Sequence, residues 1–199
     1  MIYVSHLICD EDMKELCCQY GTGVESIEFS ISDNLDQLER KIELYQKRLG
    51  QMGNPPLTLH GPFLDLNPAS FDSQIRKVTM ERFDQCYQAG IRLGAEKIVY
   101  HSGMIPMVYF REGWAEQTGR FFREFLKDRE GPEIVMENVL DEDWRLLLDV
   151  YRIVDHPKFK LCLDMGHAYC YSKVPVLEWA EKLAPCVGHV HIHDNAGNR

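Results

Sequence analysis

The chain has no CxxC pair, no long apolar run, no block of basic residues and no leader-like N-terminus. Each absence removes a class of explanation. Its seven cysteines are odd in number and lack zinc-ribbon spacing, which argues against a structural cysteine–zinc site. Cys9, Cys86, Cys162 and Cys186 lie in or beside apolar runs, as buried thiols do. A reducing, cytoplasmic location is therefore expected. A membrane-spanning helix needs about 18 or more successive apolar residues, and none occurs. The opening MIYVSHLICDEDMKE does not follow the basic, apolar, small-residue order of a signal peptide. With a net charge of −9 and no basic block, general attraction to nucleic acid is weak. Nucleic acid is disfavoured as a partner, although a local basic groove is left open.

What is present describes one well-filled core. The 199 residues are 45% hydrophobic and 27% charged, as in soluble globular domains. Apolar runs over Ile2–Val4, Ser26–Phe29, Leu57–Leu59, Lys97–Tyr100, Glu133–Met136, Lys160–Leu163 and Val187–Val190 read as seven buried strands. Helical patterns separate them. One starts at about Asp10, its expected N-cap, with Met13, Leu16, Cys17 and Tyr20 on one face. A long one opens at Ser32 or Asp33 and carries Leu35, Leu38, Ile42, Tyr45 and Leu49. Others turn inward Val78, Cys86, Ala89 and Leu93, then Trp114, Phe121, Phe122 and Phe125. The next, with Asp141 as its cap, turns inward Trp144, Leu147, Leu148, Tyr151 and Val154, and a last one covers Val174–Leu183. Strand–helix alternation predicts an α/β fold on a parallel sheet. The expected architecture is a TIM (β/α)8-type barrel forming a single domain over 1–199. Such barrels typically need about 250 residues, so the last strand–helix unit is expected to be missing after the loop DNAGNR. A doubly wound open sheet is the competing architecture.

The strand ends carry the chemistry. They are His60, His101, Glu137 with Asn138, Asp164 with His167, and His191 with His193 and Asp194. In a barrel such ends gather at one mouth. Mixed imidazole and carboxylate donors there suit zinc, manganese, cobalt or ferrous iron, with magnesium also in range. A glutamate after Ile-Val-Met is buried and needs a partner, for which a cation is effective. His193 is placed on the substrate-facing or supporting side, with Asn138. His6 and His189 read as structural.

HGPF, VYHSG, VMENV, LDMGHAY and HVHIHDN, in that order, resemble the xylose-isomerase-like barrel superfamily. That group includes AP endonucleases of family 2 and many sugar isomerases and epimerases. The resemblance implies a barrel with one to three divalent metals at its mouth. It implies that Glu137, Asp164 and His191 are metal ligands shared by both branches. It matches His167 to a third-metal ligand of the endonucleases or a substrate-contacting histidine of the epimerases. It matches His60 and His101 to first-metal ligands of the endonucleases, and Phe63 to an aromatic that contacts DNA there. The superfamily's last-strand glutamate has no counterpart here.

Three functions follow as expectations. The first is a metal-dependent isomerase or epimerase of a sugar or sugar phosphate, working by proton transfer through a metal-stabilised enediolate, with Glu137 moving the proton and His167 steering a substrate oxygen. The second is a multi-zinc phosphodiester hydrolase using His60, His101 and Glu137. The third is a non-catalytic sugar-binding member. The expected partner is a small sugar, with no membrane, and a homodimer is an open arrangement.

Overall fold

The computed structural model describes residues 1–195. The expected C-terminal loop runs on into residues 196–199, which lie outside the described residues. The elements in chain order are β1 (Tyr3–Ser5), α1 (Asp10–Tyr20), β2 (Gly23–Ser26), a 3-10 turn (Glu28–Ser30), α2 (Ser32–Leu35), α3 (Leu38–Gln51), β3 (Leu57–His60) and α4 (Ser73–Leu93). They continue with β4 (Lys97–His101), α5 (Arg111–Leu126), β5 (Glu133–Glu137), α6 (Trp144–Val154), β6 (Phe159–Asp164), α7 (Met165–Tyr171), α8 (Val176–Leu183) and β7 (Val187–His191). Hydrogen bonds link the strands in chain order, β1 through β7. The fold is α/β, and no described helix is long and apolar enough to cross a membrane. Contacts divide the chain into two compact units.

The first unit comprises Met1–Pro62, Glu81–Val99 and Gly131–Glu133. Within it β1, β2, β3 and the start of β4 pair in parallel. Its core is Met13, Val24, Phe29, Ile42, Tyr45, Leu59, Phe83 and Ile98, all fully or almost fully buried. Ile42, Tyr45 and Leu49 form one stripe of α3, as their spacing predicts. Several expected boundaries move. The second strand is Gly23–Ser26 rather than Ser26–Phe29. Ile27, at φ −95° and ψ 0°, leaves the extended region, and Phe29 reaches the core from a 3-10 turn instead. The long helix expected from Ser32 is two helices, interrupted at Asp36 and Gln37. Asp10 is not a cap: Cys9 holds that position without a side-chain bond. The Asp10 carboxylate instead pairs with the Arg48 guanidinium at 2.7 Å and with His6 Nε2 at 3.1 Å. The Arg48 hydrogen bonds hold Asp10 below the usual carboxylate range.

The second unit comprises Phe63–Met80, Tyr100–Glu130 and the chain from Ile134 on. Here β5, β6 and β7 pair in parallel, with a register shift between Leu161 and Cys162. Ile134, Val135 and Met136 are wholly buried, the signature of a parallel strand covered on both faces. Phe122 meets Phe159 at 5.1 Å between ring centres, and Tyr100 meets Phe125 edge-on at 5.9 Å. Trp114 and Trp179 are buried on their helices, and Trp144 nearly so. Val78, expected inside, is 45% exposed. The cap of α6 is Asp143, which accepts from Arg145 N, not Asp141. The last helix starts at Val176 with Pro175 as its N-cap, two residues later than expected.

Candidate functional site

Three successive strands of the second unit end in charged or ionisable side chains. Strand β5 is apolar up to Met136, so Glu137 enters dry surroundings and is 2% exposed. Asp164 ends β6 and is equally buried. His191 ends β7 and stands in register with Asp164.

Asp164 has two tasks. It is the N-cap of α7, with Oδ1 accepting from His167 N at 2.7 Å. Its carboxylate also faces the imidazoles of His191, at 3.8 Å, and His193, at 3.2 Å. Asn138 locks its backbone in both directions. Asn138 Nδ2 donates to Asp164 O at 2.9 Å, and Asp164 N donates to Asn138 Oδ1 at 2.8 Å. Asn138 is fully buried, and these bonds brace the ends of β5 and β6. Burial pushes the Asp164 carboxyl above its ordinary range, opposed first by the His167 N–H.

Glu137 Oε1 lies 2.9 Å from His191 Nδ1 and 3.7 Å from His167 Nδ1. Its Oε2 lies 3.4 Å from His101 Nε2. The His101 ring stacks on Phe63 with centres 4.3 Å apart. His167 Nδ1 is 3.0 Å from the Asn138 carbonyl. A carbonyl only accepts, so Nδ1 carries a proton, and in the neutral ring Nε2 is the acceptor. Exposure rises outward: the two carboxylates are sealed, while the His193 side chain is 46% exposed.

The donor set fits a divalent cation. One donor atom each from Glu137, Asp164 and His191 lies within 4.8 Å of the others. Asp164, His167 and His193 form a second such group. Carboxylate oxygens and imidazole nitrogens are donors that a doubly charged ion takes, and such an ion offsets the cost of burying two carboxylates side by side.

Of the residues singled out from the sequence, Glu137, Asn138, Asp164, His167, His191, His193, His101 and Phe63 all lie in the second unit. His60 closes β3 in the first unit, with Nδ1 3.0 Å from the carbonyl of Gly61. Two buried residues gave no usable signal. Ser102 Oγ donates to Asp141 Oδ2 at 2.7 Å, and Val139 N donates to the same oxygen at 2.9 Å. This pair ties the segment after β4 to the segment after β5. Desolvation raises the Asp141 carboxyl to about 6. Asp141 reads as a helix cap in the sequence because an aspartate three residues before an apolar stripe has that pattern.

The architecture has known counterparts. A D-tagatose 3-epimerase-like protein superposes with a TM-score of 0.80 at 24% identity, covering 100% of this chain and 78% of its own. The TTHB071 protein from Thermus thermophilus, soaked with ZnCl2, gives a TM-score of 0.76 at 23% identity, with coverages of 100% and 78%. Among curated proteins, the uncharacterised MJ1311 of Methanocaldococcus jannaschii is 30% identical over 159 residues. That match covers 71% of this chain and 52% of MJ1311, so the chain spans about half the length of that relative. The family model described as "Xylose isomerase-like TIM barrel" matches residues 20–199, a stretch that contains every strand end assembled above, and the chain belongs to that family.

Proposed function

We propose that the protein is a divalent-metal-dependent isomerase or epimerase of a small sugar, with Glu137 as the proton-transfer group. The observation that carries this reading is the convergence of Glu137, Asp164 and His191 within 4.8 Å, beside the more exposed His167 and His193. The fold shared with a D-tagatose 3-epimerase-like protein supports it. Glu137, Asp164 and His191 would hold the cation. A bound zinc or manganese ion would supply Lewis acidity toward the carbonyl and neighbouring hydroxyl of a ketose.

The chain's own residues supply the rest. The Glu137 carboxylate takes the proton from the hydroxyl-bearing carbon beside the carbonyl and returns it to the former carbonyl carbon, while the hydroxyl proton passes to the former carbonyl oxygen, which accomplishes isomerisation with one base. His167 offers Nε2 to a substrate hydroxyl because its Nδ1 proton is committed to the Asn138 carbonyl. His193, at the exposed side of Asp164, orients the substrate from the solvent side. Asn138 keeps the two strand ends from drifting, so the carboxylates are positioned before substrate arrives.

The test has two readouts. Solvent deuterium should enter a ketose in the presence of Mn2+ or Zn2+, and Glu137→Gln should slow uptake by about 10²–10⁴-fold, the usual worth of a general base. Metal at about a hundred times its dissociation constant should stabilise the protein by about 2.7 kcal/mol. Glu137→Gln and Asp164→Asn should each lose that stabilisation in thermal melts. Undiminished stabilisation in both variants removes the ligand assignment.

A second reading, a multi-metal phosphodiester hydrolase, is favoured by His101 beside Glu137 and by the second donor group at Asp164, His167 and His193. Two or more metal ions per chain, together with nicking of an abasic-site oligonucleotide, would select it over isomerisation.

A further inference from the structure

Beside the carboxylate cluster, and within the same unit, lies a cavity of about 380 Å³. Its volume is in the range of small-molecule pockets, about 300–1,000 Å³. Its walls include Phe63, Leu66, Met104, Ile105, Val139 and Leu140. None of Glu137, Asp164, His191 and His193 lines it, so a reacting carbon at the cluster sits outside it. His101 belongs to both places: it lines the cavity and approaches Glu137 Oε2 at 3.4 Å.

Two polar groups of the wall, the Asn67 amide and the Val139 N–H, are engaged within the wall itself. Asn67 lines the cavity, but its Nδ2 donates to the Gly103 carbonyl at 2.9 Å and its Oδ1 accepts from Ala69 N at 2.8 Å. Val139 N is bonded to Asp141. Among the described residues no lysine or arginine lines the cavity, and the one formally charged lining residue, Asp65, is an anion. A phosphate would therefore meet apolar side chains and a like charge. An uncharged apolar group would meet complementary walls, including the flat pair made by Phe63 and His101.

We infer that this cavity is a subsite for an apolar ring carried by the substrate, so that the natural substrate is an uncharged sugar bearing an aglycone-like group and not a sugar phosphate. The inference rests on the isomerase reading for the sugar's place at the cluster, but the cavity's preference can be measured without turnover.

Binding is read by saturation-transfer NMR and calorimetry on the intact protein, metal-free and Mn2+-loaded. The probes are D-glucose, D-glucose 6-phosphate and p-nitrophenyl β-D-glucopyranoside. The aryl glucoside should bind at least roughly tenfold more tightly than glucose, the lower end of what filling an apolar pocket gives, and the phosphate no more tightly than glucose. Ile105, 42% exposed at the cavity's edge, tolerates a charge, so Ile105→Arg should erase the aryl preference while Mn2+ affinity stays unchanged. Equal binding of glucose and its aryl glucoside, tighter binding of the phosphate, or an aryl preference that survives Ile105→Arg would each overturn the inference. An aryl preference without deuterium exchange into any ketose would retain the subsite and reject the isomerase reading alone.

Discussion

Gly166 sits one residue into α7 after its first position, and a Cβ there would overlap the Cε1 and Nε2 atoms of His193. The absent side chain is thus what lets the imidazole reach Asp164. Gly166→Ala should leave the fold intact, since the displaced atoms end a flexible side chain and alanine is the better helix former by about 1 kcal/mol. It should reproduce the binding defect of His193→Ala. Matching KM changes in the two variants, with unchanged melting, would check this. Asp141 gives a pH prediction. Its folded carboxyl titrates at about 6, above its ordinary value of 3.8. The folded state then binds more protons than the unfolded state between those values, so stability from this group is full below about 4 and falls as pH rises to about 6. Asp141→Asn should lack that slope, which urea titrations at about pH 4.5 and about pH 7 would show as a wild-type-minus-variant difference that declines with pH. At this scale the sequence was informative where a lone ionisable residue follows an apolar run, as at Glu137 and Asp164. It was uninformative about Ser102 and Asp141, whose partnership depends on two loops meeting, and about Gly166, whose meaning is the space it leaves for a residue far along the chain.

Among the elements, α5 and α6 approach closely at Gly119. A Cβ on Gly119 would overlap Cγ2 of Ile153 and crowd its Cβ, atoms too near the backbone to swing aside. Gly119→Ala should destabilise the protein by about 1–3 kcal/mol despite its gain in helix propensity. Adding Ile153→Ala should recover part of that loss, as a double-mutant cycle in denaturant would reveal. Six of the seven strands were legible in apolar runs, Ile134–Met136, covered on both faces, being the plainest; the second, GVES, is not such a run. The edges of the strands were less legible. Ile27 and Phe29 carry the same residue types as a strand yet turn away, because a buried phenyl ring can be delivered from a 3-10 turn as well as from a ladder. The break at Asp36 and Gln37 was invisible because both residues are acceptable inside a helix. Asp10 does not cap because a distant guanidinium, that of Arg48, engages its carboxylate with three ionic hydrogen bonds.

For the whole molecule, the order of the strands in the sheet repeats their order in the chain; alternation implies a parallel sheet but leaves this order open against a doubly wound one. The division into units was not readable, since it depends on which segments touch. The first unit borrows Glu81–Val99 and Gly131–Glu133 from positions well beyond its main stretch, Met1–Pro62. Excision therefore cannot isolate it as a single contiguous piece. A fragment ending at Pro62 would keep β2 beside β3 but lack β4 on its other side, and the later turns of α4 that carry Phe83, Cys86 and Tyr87. Such a fragment should show little cooperative melting by circular dichroism, whereas co-expression with the remaining chain should restore it. Synthesis on the ribosome must then wait: the opening segment cannot finish its interior until residues more than thirty places downstream of Pro62 have emerged, so early nascent lengths should be the ones that chaperones hold.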